Sequence, residues 1–237
     1  MATQARRRNT GSSRRPMDPL VQESTPSMIA SRVREAIASG LIAPGAQLGE
    51  ANLARELGVS RGPLREGLQR LTAEGLLISI RNRGLFVIEM TPERVRDMYL
   101  ARQAVERAAA EHIHRGDAAA AGHALLTVIT AMASAQDQHG ESEADVSFHE
   151  LLVELADSPR LARMHETLIT ETRLCINALT GLYAPGDQVR VEEHRAIAQS
   201  FLDGDVELTD RLLVAHMNDA VERLTRAVTS ASSHTPA

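Results

Sequence analysis

Tryptophan and lysine are absent from this chain of 237 residues, cysteine occurs once, and aromatic residues make up only 2% of it. The scarcity of aromatics argues against recognition of single-stranded nucleic acid, which depends on stacking bases on aromatic platforms. It also means that any core is built from Leu, Ala, Val and Ile. With no lysine, all 26 basic residues are arginine, for which a GC-rich coding sequence is the plain explanation. The lone Cys175 excludes an intrachain disulfide framework and a Cys-x-x-Cys zinc site, and it fits a reducing, cytoplasmic setting. No apolar run is long enough to span a membrane. Arg14-Arg15 has the form of a twin-arginine export signal, but no apolar stretch follows it, so that reading fails.

What is present is sufficient for a sizeable core: 43% of residues are hydrophobic, which rules out disorder throughout. Charge is divided unevenly. Residues 1–92 carry 13 Arg against 8 acidic residues, a net +5, whereas residues 93–237 carry 13 Arg against 23, a net −10. A basic first part joined to an acidic second part suggests that only the first approaches nucleic acid. Residues 1–24, rich in Arg, Ser, Thr and Pro, read as a disordered tail, and residues 232–237 as a short C-terminal tail.

The most informative stretch is Glu50 to Val87. Ala51, Leu53, Ala54 and Leu57 place an apolar stripe on a short helix that Gly58 ends. Ser60 is a suitable N-cap for a second helix, whose buried face is Leu64, Leu68 and Leu71 and whose other face carries Arg61, Arg65 and Gln69. Gly75 ends that helix. Leu76 to Ile80 reads as a strand, Arg81-Asn82-Arg83-Gly84 as a turn, and Leu85 to Ile88 as the return strand. The order is helix-turn-helix followed by a β-hairpin wing. A helix-turn-helix lays its second helix in the DNA major groove, with residues near its N-terminus on base edges and phosphates. Those residues are Ser60, Arg61, Gly62, Pro63 and Arg65; Arg81, Arg83 and Gly84 form the wing tip. Arginine suits both the paired acceptors of guanine and phosphate, and the helix N-terminus adds its own attraction for phosphate. The plain alternative is a solvated helix bearing two arginines.

The segments LARELGVSRGPLREGLQRLTAEGLL and RNRGLFV resemble the winged-helix domain of the GntR family of bacterial transcription regulators, over about Ile29 to Ile88. The resemblance implies that Arg61 and Arg65 contact double-stranded DNA and that Gly84 sits at the wing tip. Ala51 falls where some members carry a further DNA-contacting arginine, a contact alanine cannot make.

Upstream, Thr25-Pro26-Ser27 opens a first helix to about Ser39, with Ile29, Val33 and Ile37 on one face, and residues 41–48 cross to the motif. Downstream, Thr91-Pro92 is a helix start signal and the expected domain boundary, giving a DNA-binding domain at 25–90 and a second domain at 91–231. The second domain shows no convincing strand. Breaks at Gly116-Asp117, Gln138 to Ser142, Ser158-Pro159, Pro185-Gly186 and Gly204-Asp205 separate amphipathic helices at 92–115, 117–136, 143–156, 159–182, 187–202 and 205–230. The expected fold is therefore mainly α: an N-terminal winged helix-turn-helix with a small β-hairpin, then an all-α helical bundle.

Asp145 and His149 lie four residues apart on one expected helix, on one face and about 6 Å apart along the axis. His194 and His216 lie on the last two helices among apolar residues at core spacing. Three imidazoles and a carboxylate can hold a first-row divalent cation, and bundle cores commonly host such sites. The bland alternative is a hydrogen-bonded core cluster. His112, His114, His123, His139, His165 and His234 lack such company and read as surface or boundary residues.

The stretches MYLARQAVERAAAEHI, DVSFHELLVELADSPRL, EEHRAIAQSFLDGD and AHM resemble the FCD ligand-binding domain of the FadR subfamily, over about residues 92–228. In metal-binding members an Asp and a His four apart, with two later His, hold a divalent metal such as Zn or Ni; Asp145, His149, His194 and His216 match all four. The resemblance implies a homodimer that binds an operator and a small carboxylate effector at the metal. Arg102 matches an arginine that often faces the effector pocket, its other reading being an ion pair with Glu106. Arg173 and Asn218 are further effector candidates; the first could be solvated, the second could cap or pack. Two other functions stay open. One is a metal-free regulator binding an acyl-CoA-like ligand. The other is a metal-dependent enzyme, for which no general base beyond the four ligands and no nucleophile motif is found.

Overall fold

The computed structural model describes residues 24–179 and 188–232. Most of the expected N-terminal tail, with Arg14-Arg15, the Pro185-Gly186 break, the end of the helix expected at 159–182, and the tail after residue 232 lie outside the described residues.

The first unit opens with α1 (Thr25–Ala38), followed by β1 (Gln47–Leu48), α2 (Glu50–Glu56), α3 (Arg61–Ala73), β2 (Leu77–Ile80) and β3 (Gly84–Val87). Ser24 caps α1 by accepting from Ser27 N, and Pro26 sits in its first turn, where a missing N–H costs nothing. Ile29, Val33 and Ile37 are buried on one side of α1, and Leu64, Leu68 and Leu71 on one side of α3. The two helices meet closely at Gly67: a Cβ there would lie 2.9 Å from both Ile29 Cγ2 and the Pro26 carbonyl. Gly58 and Gly75 end α2 and α3 with φ of +64° and +86°, a backbone region that favours glycine. Ser60 is extended, as an N-cap should be, but its hydroxyl makes no capping hydrogen bond.

The wing is a three-stranded antiparallel sheet in the order β1-β3-β2. The third strand, β1, was expected to be a plain crossing. It pairs Gln47 with Phe86 and Leu48 with Leu85, and two residues are too short to show the alternation by which strands are read. Ala51 also departs from expectation. It is exposed, and α2 turns inward through Ala54, with Leu53 and Leu57 half-buried.

Six further helices are described: α4 (Pro92–His114), α5 (Ala118–Ala133), α6 (Gln138–Glu154), α7 (Pro159–Ala178), α8 (Gln188–Leu202) and α9 (Val206–Ser232). Thr91, Asp117, Asp137 and Ser158 cap α4 to α7 by accepting from backbone N–H groups. The stretch Gln138 to Ser142, expected as a break, is the first turn of α6, because Asp137 accepts from Gly140 N at 2.8 Å and so starts the helix early. α4 packs mainly on α9, α5 on α8 and α6 on α7. Gly122 permits the α5–α8 approach: a Cβ would lie 2.8 Å from Leu202 Cγ and 2.9 Å from the Ala198 carbonyl. Among the described residues no helix is long and apolar enough to cross a membrane.

The two units share a core at α7. Leu174 is fully buried in the cluster formed by α1, α3 and the sheet, and Asn177 Nδ2 donates to the Ala38 carbonyl at the end of α1. Glu171 is buried on the same helix near the α3–β2 turn, where a Cβ on Gly75 would lie 3.7 Å from its Oε1. Burial pushes its carboxyl up to about 7, against Arg94, which lowers it, and with Asp97, which raises it. Because the folded-state value lies above the ordinary one, the folded chain keeps a proton that the unfolded chain releases between about pH 4.5 and 7, so stability falls as pH rises through that window. Glu171→Gln removes the charge. It is expected to raise Tm at pH 8, by ~2–4 °C for each kcal/mol recovered, and to leave Tm at pH 4.5 unchanged. Thermal unfolding at the two pH values checks this.

Candidate functional site

The bundle brings Asp145, His149, His194 and His216 together. Asp145 and His149 come from successive turns of α6, His194 from α8 and His216 from α9, and all four are buried. One ligand atom from each lies within 4.8 Å of all the others. Phe148 walls the group, with its ring edge-on to His149 and His194 at centroid distances of 5.5 and 4.7 Å.

The hydrogen bonds on the far side of each ring decide what the near side can do. His149 Nδ1 is 2.7 Å from Glu106 Oε2, His216 Nδ1 is 3.0 Å from Glu193 Oε2, and His194 Nδ1 is 2.8 Å from the Arg190 carbonyl one turn back. Carboxylate and carbonyl oxygens only accept, so each Nδ1 carries a proton and each ring turns its Nε2 inward. The inward atoms crowd one another. His149 Nε2 is 3.2 Å from His216 Nε2, and His194 Nε2 is 3.4 Å from Asp145 Oδ1. His194 Nε2 is buried with no hydrogen-bond partner. Burial, followed by the neighbouring His216, holds His194 well below the usual imidazole range, so it stays neutral. Asp145 is ionised. Burial alone would raise its carboxyl, but nearby positive charge, which includes the buried Arg190 guanidinium, brings it far down. Three imidazole nitrogens and a carboxylate converging in a closed space fit a divalent cation. The three-nitrogen, one-oxygen set suits a borderline first-row metal such as Zn or Ni.

Behind the site lies a second buried group. Glu106 Oε1 accepts from Arg102 Nε at 3.1 Å and from His165 Nε2 at 3.0 Å, while its Oε2 takes His149. Burial opposes its ionisation, yet His149 and Arg102 keep the carboxyl well below its ordinary value. Arg102 also donates to Thr172 Oγ1 at 3.2 Å and lies over the Tyr99 ring at 4.8 Å. Its Nη2 is 3.0 Å from Glu106 Oε1 but lacks hydrogen-bond geometry, so one donor is still open. The ion-pair reading of Arg102 holds, and the side chain keeps a spare N–H. His165, read from sequence as a boundary residue, is buried and joined to the site through Glu106. The spacing His165, Leu168, Thr172 on one face of a helix was the signal that could have found it.

The other effector candidates are not brought to this group. Arg173 ties α7 to α6 through Glu143 at 3.1 Å and Glu150 at 3.4 Å. Asn218 is exposed. His216 and Met217 face inward, and a residue two positions past His216 lies about 200° around the helix.

On the first unit, Ser60, Arg61, Gly62 and Arg65 are exposed at the start of α3 and Pro63 is half-buried. Arg81, Arg83 and Gly84 are exposed at the β2–β3 turn, where Asn82 takes φ of +63°. Gln47 Nε2 donates to the Arg83 carbonyl at 2.5 Å, so β1 braces the wing tip. Arg65 Nε is 2.7 Å from Glu50 Oε2 on α2.

Comparison with known proteins agrees with this arrangement. Residues 25–87 match the family described as bacterial regulatory proteins, gntR family, and residues 97–219 match the FCD domain. This chain belongs to the GntR family. It is a DNA-binding transcription regulator of the FadR type, with an FCD ligand-binding domain, and not an enzyme. Among GntR relatives, a protein of Paenarthrobacter nicotinovorans described as a "Probable D-xylose utilization operon transcriptional repressor" is 29% identical over 209 residues, 85% of this chain and 91% of that protein. The gluconate operon transcriptional repressor of Bacillus subtilis is 31% identical over 141 residues, 58% of each. A GntR transcriptional regulator structure from Rhodococcus sp. RHA1 superposes with a TM-score of 0.71 at 26% identity, covering 85% of this chain and 98% of that one.

The Glu106 group makes a measurable demand on stability. Glu106→Ala leaves Arg102 buried without its counter-charge and two imidazole N–H groups without an acceptor. A buried pair broken on one side typically costs ~3–5 kcal/mol. Urea unfolding is expected to show a loss of that order; a loss below about 1 kcal/mol, the size of an exposed pair, would contradict the reading.

Proposed function

We propose that this GntR regulator is a cytoplasmic homodimeric repressor whose operator affinity is controlled by a small carboxylate effector bound at a divalent metal, Zn or Ni, in the FCD domain. The observation that carries this is the set of three imidazoles, each locked at Nδ1, aiming three Nε2 lone pairs and the Asp145 carboxylate at one point. Asp145, His149, His194 and His216 would hold the ion. When bound, a divalent cation supplies positive charge and open coordination positions that a carboxylate oxygen can fill. Arg102, with its spare Nη2 donor, would orient the effector carboxylate, and Phe148 keeps water from the inner rings. Repression accords with the names of the xylose and gluconate operon relatives.

On the DNA side, Arg61 and Arg65 would enter the major groove, with Ser60, Gly62 and Pro63 allowing close backbone approach, while Arg81, Arg83 and Gly84 follow the adjacent backbone. A dimer must match two half-sites, so a small shift in the spacing of its two winged helices weakens operator affinity. Arg65 is held away from groove contacts by Glu50 in the free chain, and a phosphate or guanine edge would replace that exposed pair at little cost.

Two measurements test this reading. Tag-free protein should carry about one divalent metal per chain, and His149→Ala with His194→Ala should carry none; a native protein that stays metal-free after reconstitution would remove the metal. With an operator recovered by selection from random duplexes, a titration should show affinity changing with a small carboxylate only in the metal-loaded protein. Arg61→Ala and Arg65→Ala should each weaken binding. For each arginine that contacts phosphate, the slope of log affinity against log salt should fall by ~1. Unchanged affinity in both variants would move the DNA contact elsewhere.

A further inference from the structure

The helix α7 looks two ways. One face belongs to the group behind the metal site: His165 Nε2 donates to Glu106 Oε1 and Thr172 Oγ1 accepts from Arg102 Nη1, two turns apart. Another face belongs to the DNA-binding unit. Glu166 Oε1 is 3.4 Å from Arg34 Nη1 on α1, and Arg34 is itself held by Glu74 at the end of α3 at 2.8 Å. Leu174 is a member of the winged-helix core, and Asn177 donates to the last carbonyl of α1. Between the two faces, Cys175 and Ile176 are fully buried against Val95 and Met98 of α4. A contiguous series of short polar contacts therefore leads from His149 to Glu106, from Glu106 to His165 and Arg102, and through α7 into α1 and α3.

We infer that Glu106, His165 and Thr172 are positioning residues through which occupancy of the metal site is passed to the winged helix, with α7 as the element that carries it. This rests on the metal-site reading above. The physical route is ordering. Glu106 Oε2 accepts from His149 Nδ1 at 2.7 Å, so fixing the His149 ring by a bond at Nε2 fixes the Glu106 carboxylate. That carboxylate in turn fixes His165 and Arg102, and with them the register of α7. Because Leu174 is part of the winged-helix core, a more rigid α7 raises the free energy for local opening of α1. Ligands can couple distant sites in this way without a large change of shape. The coupling is reciprocal, so a winged helix held on DNA would order α7 from its other side.

The test is amide hydrogen exchange on the full chain with Zn2+ as the probe. Zn2+ affinity is measured beside it by competition with a chromophoric chelator, and exchange is compared at saturating Zn2+. In the native chain Zn2+ should slow exchange in α6, α7 and α1, with the α1 amides slowed ~5-fold or more, the lower end of typical coupling. Asn177→Ala, which lies far from the ligands, should bind Zn2+ with native affinity and keep the slowing in α6 and α7, but show markedly less of it in α1. His165→Ala should lose the slowing in both α7 and α1. His165→Gln, which keeps an N–H donor near the place of Nε2, should regain it, whereas His165→Leu, which fills the space without a donor, should not. Slowing confined to α6, α8 and α9 in the native chain would overturn the inference, as would α1 slowing that survives both alanine variants. Absence of Zn2+ binding by chelator competition is a different result, and it would remove the metal-site reading and this inference with it.

Discussion

Everything in the bundle depends on where three imidazole protons sit. Glu106, Glu193 and the Arg190 carbonyl can only accept, so they fix the Nδ1–H of His149, His216 and His194 and leave three lone pairs facing inward toward Asp145. Such an arrangement repels itself in a closed space unless something positive lies at its centre. The ligands come from three helices, so α6, α8 and α9 must be held at fixed distances. Tight packing supplies that, as at Gly122, where α5 meets α8 with no room for a side chain. The outer hydrogen bonds then extend the constraint to α4 and α7 through Glu106, Arg102 and His165.

The placement of α7 turns this from a local site into a property of the whole chain. A regulator needs its sensor and its DNA-reading helix to share some element, and α7 touches both units. Leu174 and Asn177 bind α7 to the winged-helix unit, and Glu171 is buried against the turn that leads into the wing. The acidic balance of the second domain and the basic balance of the first keep DNA on one side of this junction.

Much of the fold was legible because its signals are local. Gly58, Gly75 and Gly204 take positive φ where glycine was expected to stop a helix, and Thr91 and Ser158 cap the helices that Pro92 and Pro159 open. The convergence of Asp145, His149, His194 and His216 was expected from the resemblance to the FCD domain, with core spacing consistent with an inward position for each. What escaped depends on tertiary contacts. β1 is too short for a pattern and exists because β3 offers an edge. The turn at Gln138 to Ser142 is polar and contains Gly140, which reads as a break, but the Asp137 cap makes it helical. His165 shares a helix face with Leu168 and Thr172, but its partner Glu106 is 59 residues away in sequence. Asn218, two residues past His216, is turned away from it by helical rotation and is exposed.

The most direct test of the central claim is X-ray absorption at the zinc edge of the full chain loaded with one equivalent of Zn2+. The account predicts a first shell of nitrogen and oxygen at ~2.0–2.1 Å, with the outer-ring scattering of three imidazoles and no sulfur. Spectra showing one imidazole or none would contradict it, because the inward lone pairs of His149, His194 and His216 would then have some other partner.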